Sequence, residues 1–228
     1  SAADIHHTET KLLPPAARSY SEKYWQKRQP GPGALLVSLG IKGKLSNLHH
    51  HNLYFVKNWR ENFAAIYETG TVPEHASLYV CNPSKTHPEL APIGHENLFV
   101  LLPLPAGVTL TPEQELVCTD KIIKILGEMT REPDLPRRIV SQLIYGPEQF
   151  GEQFNAWQYN AFGGESHLLR QSVMFRTRNR SKKVPNLYYV GAGTLPGIGL
   201  PMCLISAQLT YKRITRNHRH GPLAKEDV

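Results

Sequence analysis

The segment from residue 186 to residue 201 constrains the fold of this chain more than any other part of the sequence. It reads Asn-Leu-Tyr-Tyr-Val-Gly-Ala-Gly-Thr-Leu-Pro-Gly-Ile-Gly-Leu-Pro, which predicts a short buried strand, a glycine-rich loop and the start of a helix. The glycines permit positive φ and let a ligand approach the backbone closely. Pro201 suits the first turn of a helix that we expect to end near Thr215. The N–H groups and the positive dipole end of that helix would face whatever the loop holds.

The loop differs from the fingerprint of dinucleotide-binding folds. That fingerprint is G-x-G-x-x-G with an acidic residue about 20 positions further on. Here Pro196 occupies the sixth position, and the later region is basic at Lys212, Arg213 and Arg216. A complete nicotinamide or adenine site is therefore not expected from this loop alone. A tight strand-to-helix turn without a ligand is the alternative, although such a turn requires fewer glycines than this one has.

The rest of the chain predicts an α+β fold with a mixed sheet, because strands and helices alternate without a regular parallel pattern. The best-marked helix begins after Thr111, where Pro112 and Gln114 complete a capping box, and ends near Thr130. Further helices are expected at residues 16–28, 58–68 and 147–155. Strands are expected at residues 34–39, 52–56, 77–81, 98–102 and 138–145.

Composition limits the partners of the chain. The 228 residues suffice for one domain or two small ones, and the net charge of +7 suggests an anionic partner. A cofactor pyrophosphate and an anionic membrane surface are candidates; no nucleic-acid-binding motif occurs, so nucleic acid is not expected. The apolar runs are too short for a membrane span, and no secretory signal opens the sequence. Three dispersed cysteines form no C-x-x-C pair and suggest free thiols in a reducing compartment.

Other candidate side chains give weaker signals. His49, His50 and His51, together with His6 and His7, could suggest a metal, but neighbouring residues on a strand point to opposite faces, so we predict a surface or hydrogen-bonding role and no metal site. His167 would face substrate or flavin, or pack as an ordinary core histidine. Arg170 and Arg176 would reach cofactor phosphates or form structural ion pairs. No nucleophile and base are paired in the sequence, so no catalytic residue is assigned.

Several segments together resemble one known family. Residues 190–201 closely resemble the C-terminal signature of the bacterial and fungal phytoene desaturases, FAD-dependent carotenoid desaturases of the amine-oxidase-like flavoprotein superfamily. The segments that agree with this family upstream are Ala3-Asp4, His6-His-Thr-Glu9, Leu12-Leu-Pro14, Tyr24-Trp25, Asn160-Ala-Phe-Gly-Gly-Glu-Ser-His167, Leu169-Arg-Gln-Ser172 and Phe175-Arg176. The resemblance covers essentially the whole chain. One departure is Leu195, where familiar members often have a polar residue such as His.

The resemblance implies a two-lobed flavoenzyme in which both ends of the chain hold FAD. Residues 1–155 would form the substrate-binding lobe, and residues 156–228 would supply the strand, glycine loop and helix of a split FAD-binding domain. The N-terminal GxGxxG part of that domain does not occur in these residues, so only half of the FAD site is expected. The residues implied near the pyrophosphate and ribityl chain are Gly191, Ala192, Gly193 and Thr194. Those implied at the flavin ring are Gly199, Leu200, Pro201 and Met202.

The function implied by the resemblance is dehydrogenation of a C–C bond in a long isoprenoid, with hydride transfer to flavin. Activity would require an N-terminal FAD-binding partner, and the protein would be cytoplasmic and peripheral to the membrane that dissolves its substrate. Two alternatives stay open. One is a non-catalytic carotenoid- or lipid-binding module derived from such an enzyme. The other is a fragment of a non-carotenoid flavoprotein of the same superfamily.

Overall fold

A computed structural model of the chain describes residues 1–166 and 168–224. The chain forms two compact units: unit 1 comprises Ser1–Gly31 and Phe150–Val228, and unit 2 comprises Pro32–Gln149. Unit 1 is discontinuous, because it joins the first 31 residues to the C-terminal part of the chain. The sequence-based division at residue 155 placed those first residues in the other part. The assignment of substrate and flavin binding to the two parts stays a prediction.

Unit 2 is built on one five-stranded sheet. Its strands are β1 (Gly33–Lys42), β2 (His51–Tyr54), β3 (Leu78–Cys81), β4 (His95–Leu104) and β5 (Ile139–Tyr145). The order is β2-β3-β4-β1-β5, and every pair is antiparallel. The predicted combination of helices with one sheet is confirmed, but the sheet is antiparallel rather than mixed. β4 and β5 do run in the same direction, yet β1 lies between them, so no parallel pair forms.

The helices are α1 (Ile5–His7), α2 (Glu22–Trp25), α3 (Trp59–Ala64), α4 (Pro112–Thr130), α5 (Leu135–Arg138), α6 (Pro147–Phe154) and α7 (Leu200–Thr215). α4 has the predicted start: the Thr111 hydroxyl accepts from the N–H of Gln114, and the Gln114 side chain accepts from the N–H of Thr111. Within residues 1–166 and 168–224, no helix combines the length and the apolar character needed to cross a membrane.

The core of unit 2 consists of side chains from the sheet and α4. Leu35 and Val37 of β1 and Val100 of β4 have no exposed surface. These three side chains belong to the same hydrophobic cluster as Ile122 and Leu126 of α4. Alternating burial along β4 gives the sheet one face toward this cluster. Burial of a Leu, Val or Ile side chain contributes about 1.5–3 kcal/mol. The hydrophobic effect therefore holds α4 against the sheet.

Two predicted elements are wrong, and a contact between distant residues explains the first. The expected helix at 16–28 is reduced to the single turn of α2, because the Glu9 carboxylate accepts from the N–H groups of Ser19 at 2.6 Å and Tyr20 at 3.2 Å. The expected strand at 186–190 is only an isolated bridge between Arg180 and Tyr188. A carboxylate that caps two backbone donors removes them from any helical ladder.

Candidate functional site

The glycine loop leads into α7 as predicted, with Pro201 in the first turn. Gly199 is the N-cap residue at φ +111°, and no side chain caps the helix start. Gly191 has φ +110°, and a Cβ atom built there would meet no atom within 4 Å. A Cβ on Gly199 would meet only Pro201 Cδ, at 4.0 Å. The backbone on this side of the loop is thus open to a ligand, and only glycine adopts these conformations without strain.

Buried side chains hold the loop in this shape. Ser206 of α7 has no exposed surface, and its hydroxyl accepts from the N–H of Gly191 at 3.1 Å and from Asn179 Nδ2 at 3.0 Å. The Asn179 amide also donates to the carbonyl of Leu195 at 2.9 Å. The Thr194 hydroxyl, likewise fully buried, donates to the Thr177 carbonyl at 2.8 Å. The loop is therefore preorganised by its own unit.

A cavity of about 420 Å³ lies within unit 1, next to part of this loop. Its wall includes Ala192 and Gly193, which are two of the eight predicted cofactor residues. The other predicted residues, Gly191, Thr194, Gly199, Leu200, Pro201 and Met202, lie outside the lining. Four of them form the start of α7, where Leu200 is 84% exposed. The structure thus places two of the predicted residues in the cavity wall and four at the start of α7.

Two residues of the cavity wall carry buried polar atoms without a hydrogen-bond partner within the described residues. These atoms are Trp25 Nε1, a donor, and Glu165 Oε2, an acceptor. The other carboxylate oxygen of Glu165 pairs with Arg28 Nε at 2.9 Å and accepts from the Tyr24 hydroxyl at 3.0 Å. Burial raises the pKa of the Glu165 carboxyl, and the charge of Arg28 opposes this shift. An unsatisfied buried polar group is costly, and both of these groups belong to residues of the cavity wall.

Asp4 and Asn160 fix two backbone segments of the cavity wall. The Asp4 carboxylate accepts from the N–H of His7 at 3.1 Å and of Trp157 at 3.2 Å, and burial raises its pKa. The Asn160 side-chain oxygen Oδ1 accepts from the N–H groups of Gly163 and Gly164, each at 2.7 Å. These bonds leave a wall shaped by the backbone, with Trp25 packed edge-on against Trp157 at 5.0 Å.

Sequence reasoning missed Trp25 and Glu165 as site residues. They are about 140 residues apart in the chain, and Trp25 was part of a predicted surface helix. The only available signal was that both fall in segments with family resemblance. Only the fold reveals that they share a cavity, because it brings residues 1–31 together with the C-terminal part of the chain.

The structure places the candidate residues Arg176 and Arg170 differently, one buried and one exposed. The buried Arg176 guanidinium donates to the carbonyls of Ala192 at 3.2 Å and Glu165 at 3.0 Å, so it ties the loop to the cavity wall. Burial lowers its pKa. Arg170 is exposed, and its carbonyl accepts from the Arg28 side chain at 3.0 Å. His167 lies outside the described residues.

Comparison with solved structures identifies the class of fold. The chain is similar to the crystal structure of an oxidoreductase from Methanosarcina mazei, with a TM-score of 0.51 and 15% identity. The match covers 93% of this chain and 42% of the other. This likeness concerns the fold alone, and no family model matches the sequence. The shared class is thus a fold that combines helices with one antiparallel sheet.

Comparison with proteins of similar sequence indicates the family more narrowly than the fold does. The chain is 38% identical to the carotenoid 3,4-desaturase of Haloarcula japonica over 93% of its own length and 42% of the relative's. It is 36% identical to the lycopene-forming phytoene desaturase of Pantoea ananas, over 92% of this chain and 43% of that protein. The zeta-carotene-forming phytoene desaturase of Myxococcus xanthus is 33% identical, over 96% and 42%. Along almost its whole length the chain is homologous to phytoene and carotenoid desaturases, and it spans about two fifths of the length of these curated relatives. The predicted resemblance is confirmed.

Proposed function

We propose that the chain is the C-terminal portion of an FAD-dependent carotenoid desaturase, and that it supplies one half of the FAD site. The reaction would be dehydrogenation of a C–C bond in a long isoprenoid. The names of the relatives support the reaction and the substrate class. The loop and cavity of unit 1 support the cofactor, because they satisfy independent requirements of a flat ligand that carries phosphates.

The observation that carries this proposal is the combination of an open glycine backbone with unsatisfied polar groups. Gly191 and Gly199 leave space where a side chain would stand, and the uncapped start of α7 offers N–H donors and a positive dipole end to an anion. Ala192 and Gly193 reach the cavity, whose wall also includes Trp25 and Glu165, each with one buried polar atom that has no partner within the described residues. These features fit a dinucleotide held partly by backbone.

Each residue of the proposed half-site has a defined task. The backbone of Gly191, Ala192 and Gly193 approaches the pyrophosphate. Thr194 contributes through its backbone, because its hydroxyl already donates to the Thr177 carbonyl. Gly199, Leu200, Pro201 and Met202 form the helix start, whose positive end favours negative charge on a flavin ring.

When bound, FAD supplies the hydride-accepting chemistry. The residues of this chain orient the cofactor and exclude water from one side of it. The sequence pattern predicts no nucleophile and base pair, and no catalytic residue is assigned. An N-terminal polypeptide with the GxGxxG motif is the proposed partner that completes the site.

We further propose that unit 2 meets the membrane in which the isoprenoid dissolves. Phe55, Trp59 and Phe63 are more than half exposed, at 70%, 55% and 54%. Trp59 and Phe63 lie one turn apart on α3, with ring centroids 6.1 Å apart, and Arg60 lies over the Trp59 ring at 5.4 Å. Exposed aromatic rings beside basic side chains are typical of surfaces that enter an anionic lipid interface. Membrane attachment of this kind is peripheral.

Flavin absorbance of the purified chain tests the cofactor proposal. We expect little bound FAD when the chain is mixed with FAD alone. Stoichiometric yellow colour is expected after addition of a polypeptide that carries the strand, GxGxxG and helix of a relative. Gly191→Ala should then prevent binding, since the methyl group occupies the space left for the ligand. Gly221→Ala is a matched control, because Gly221 also has positive φ, +81°, and its added Cβ would also meet nothing within 4 Å.

The outcomes separate the parts of the proposal. Stoichiometric FAD on the chain alone would contradict the half-site. A stable complex of the two polypeptides that takes up no FAD when FAD is supplied would contradict the cofactor assignment. Equal loss of FAD in the Gly191 and Gly221 variants would show that backbone strain, rather than the loop surface, controls binding.

A further inference from the structure

Three metal-binding side chains meet at the edge of the sheet in unit 2. His50, His51 and Cys81 each bring one donor atom within 4.8 Å of the others. His51 begins β2 and Cys81 ends β3, and the two are partners in the antiparallel register. β2 is the edge strand of the sheet. We propose that these three residues bind one Zn²⁺ ion. The proposal is independent of flavin and isoprenoid binding.

The two histidines lie on the same side despite being neighbours in sequence. The rule that neighbours point to opposite faces holds only within a strand. His50 lies in a bend before β2, and its carbonyl accepts from the N–H of Asn82 at 2.7 Å. The two imidazole centroids are therefore only 4.3 Å apart. The sequence-based expectation of no metal site rested on a strand geometry that His50 does not have.

Hydrogen bonds orient both imidazoles for metal binding. His50 Nδ1 lies 2.6 Å from the Thr86 hydroxyl, and His51 Nδ1 lies 2.8 Å from the Tyr79 hydroxyl. The Thr86 hydroxyl donates to the Pro83 carbonyl at 3.5 Å, so it is left to accept from His50 Nδ1. Each ring then has Nε2 available as a ligand. Metal-bound histidines nearly always donate their other N–H to such a partner.

Tyr79 lies beside two of the proposed ligands. It stands two residues before Cys81 in β3, and its hydroxyl lies 2.8 Å from His51 Nδ1. A hydroxyl that accepts from an imidazole N–H can donate to a thiolate sulfur, which suits a Cys81 that binds metal as thiolate. Tyr79 also packs against the His51 ring, with centroids 6.0 Å apart and planes 25° apart. Thr86 and Tyr79 thus hold the imidazoles of His50 and His51 in place.

The donors select the class of ion. Two imidazole nitrogens and one thiolate suit Zn²⁺, which binds nitrogen and sulfur in tetrahedral geometry. Ca²⁺ and Mg²⁺ require oxygen ligands and are excluded by the same argument. Three protein ligands leave the fourth position for water. His51 is exposed while His50 and Cys81 are half-buried, so the ion would exchange with solvent and would join the edge strand to β3.

Cobalt(II) titration of the tag-free, reduced 228-residue chain tests the site. Co²⁺ is a spectroscopic substitute for Zn²⁺, and a bound thiolate gives a charge-transfer band in the near ultraviolet. We expect saturation at one Co²⁺ per chain, displacement by Zn²⁺, and loss of the band in Cys81→Ser. His51→Gln should weaken binding at least about tenfold, and Tyr79→Phe about 10- to 100-fold. Cys118→Ser and His49→Gln keep the cluster and serve as matched controls.

Two results would overturn the proposal. One is a chain that shows no saturable Co²⁺ band. The other is a band that survives in Cys81→Ser or disappears in Cys118→Ser. Circular dichroism establishes that each variant is folded. If Cys81→Ser fails to fold, the comparison of Tyr79→Phe with His49→Gln decides, since equal Co²⁺ affinity of these two variants contradicts the site.

Discussion

Replacement of Ser206 by alanine isolates the contribution of one hydroxyl to the glycine loop. This hydroxyl is fully buried and accepts two hydrogen bonds, from the N–H of Gly191 and from the side chain of Asn179. Asn179 keeps an acceptor in Ser206→Ala, because its amide also donates to the Leu195 carbonyl at 2.9 Å. Gly191 loses its acceptor. The variant therefore leaves one main-chain N–H, that of Gly191 at the start of the loop, without an acceptor.

The expected cost follows from that single donor. Leaving this half-buried donor unpaired costs about 1 kcal/mol, the lower end of the range for buried donors, which lowers the folding equilibrium constant about fivefold. Urea unfolding followed by tryptophan fluorescence measures this change in unit 1. The reason is that Trp25 and Trp157 are buried there, at 3% and 9% exposure, whereas Trp59 of unit 2 is 55% exposed. The midpoint should fall while the slope with urea stays unchanged.

Thr215→Ala provides the control for Ser206→Ala. Thr215 is in the same helix and exposed, and its hydroxyl donates to the Tyr211 carbonyl at 3.0 Å. Its removal should change stability by less than about 0.5 kcal/mol. Equal midpoints for the two variants would refute the view that Ser206 anchors the loop. In the complemented FAD complex, Ser206→Ala should also weaken flavin binding, since Gly191 is then free to move.

Two further predictions concern charge in unit 1 and lipid contact in unit 2. Burial raises the pKa of Glu165 above its ordinary 4.5, so the stability linked to its protonation is present below about pH 4.5 and is lost as pH rises through the folded-state pKa. In urea unfolding at several pH values, the free energy of unfolding of Glu165→Gln should therefore rise relative to that of the parent chain as pH rises. A difference between the two chains that does not change with pH would contradict this. The double variant Trp59→Ala, Phe63→Ala should sediment several-fold less with anionic phospholipid vesicles than the parent chain. Ile93→Ala, which alters a fully exposed apolar residue elsewhere in unit 2, is the control, and equal sedimentation of both variants would contradict the membrane surface.

Local signals in the sequence predicted the elements whose ends depend on their own residues. The capping box at Thr111 and Gln114 places the start of α4, and the proline at 201 places the start of α7. The expected strands of unit 2 all exist, with bounds shifted by a few residues, since alternation of apolar residues is a local property. In each case the deciding contacts lie within one turn or one strand.

The parts that sequence reasoning missed depend on distant partners. No local pattern shows that Glu9 accepts from the backbone at Ser19 and Tyr20, and that contact removes most of the predicted helix. Trp25 and Glu165 line one cavity only because unit 1 is formed from two stretches of chain that are separated in sequence by the 118 residues of unit 2. The loop residues themselves were identified correctly as a glycine turn before a helix. Their role in FAD binding stays a prediction.

The discontinuity of unit 1 sets an order of events during translation. Unit 2 is one uninterrupted stretch, Pro32–Gln149, and leaves the ribosome as a whole while the rest of unit 1 is still being synthesised. At about 5–20 residues per second, the stretch from Phe150 to Val228 takes roughly 4–16 seconds to make. During that time Ser1–Gly31 lacks its partners, and the indole of Trp25 has nothing from the C-terminal part to pack against. For those seconds Trp25 and the aromatic residues around it stand without their C-terminal partners, and chaperones and proteases have access to them.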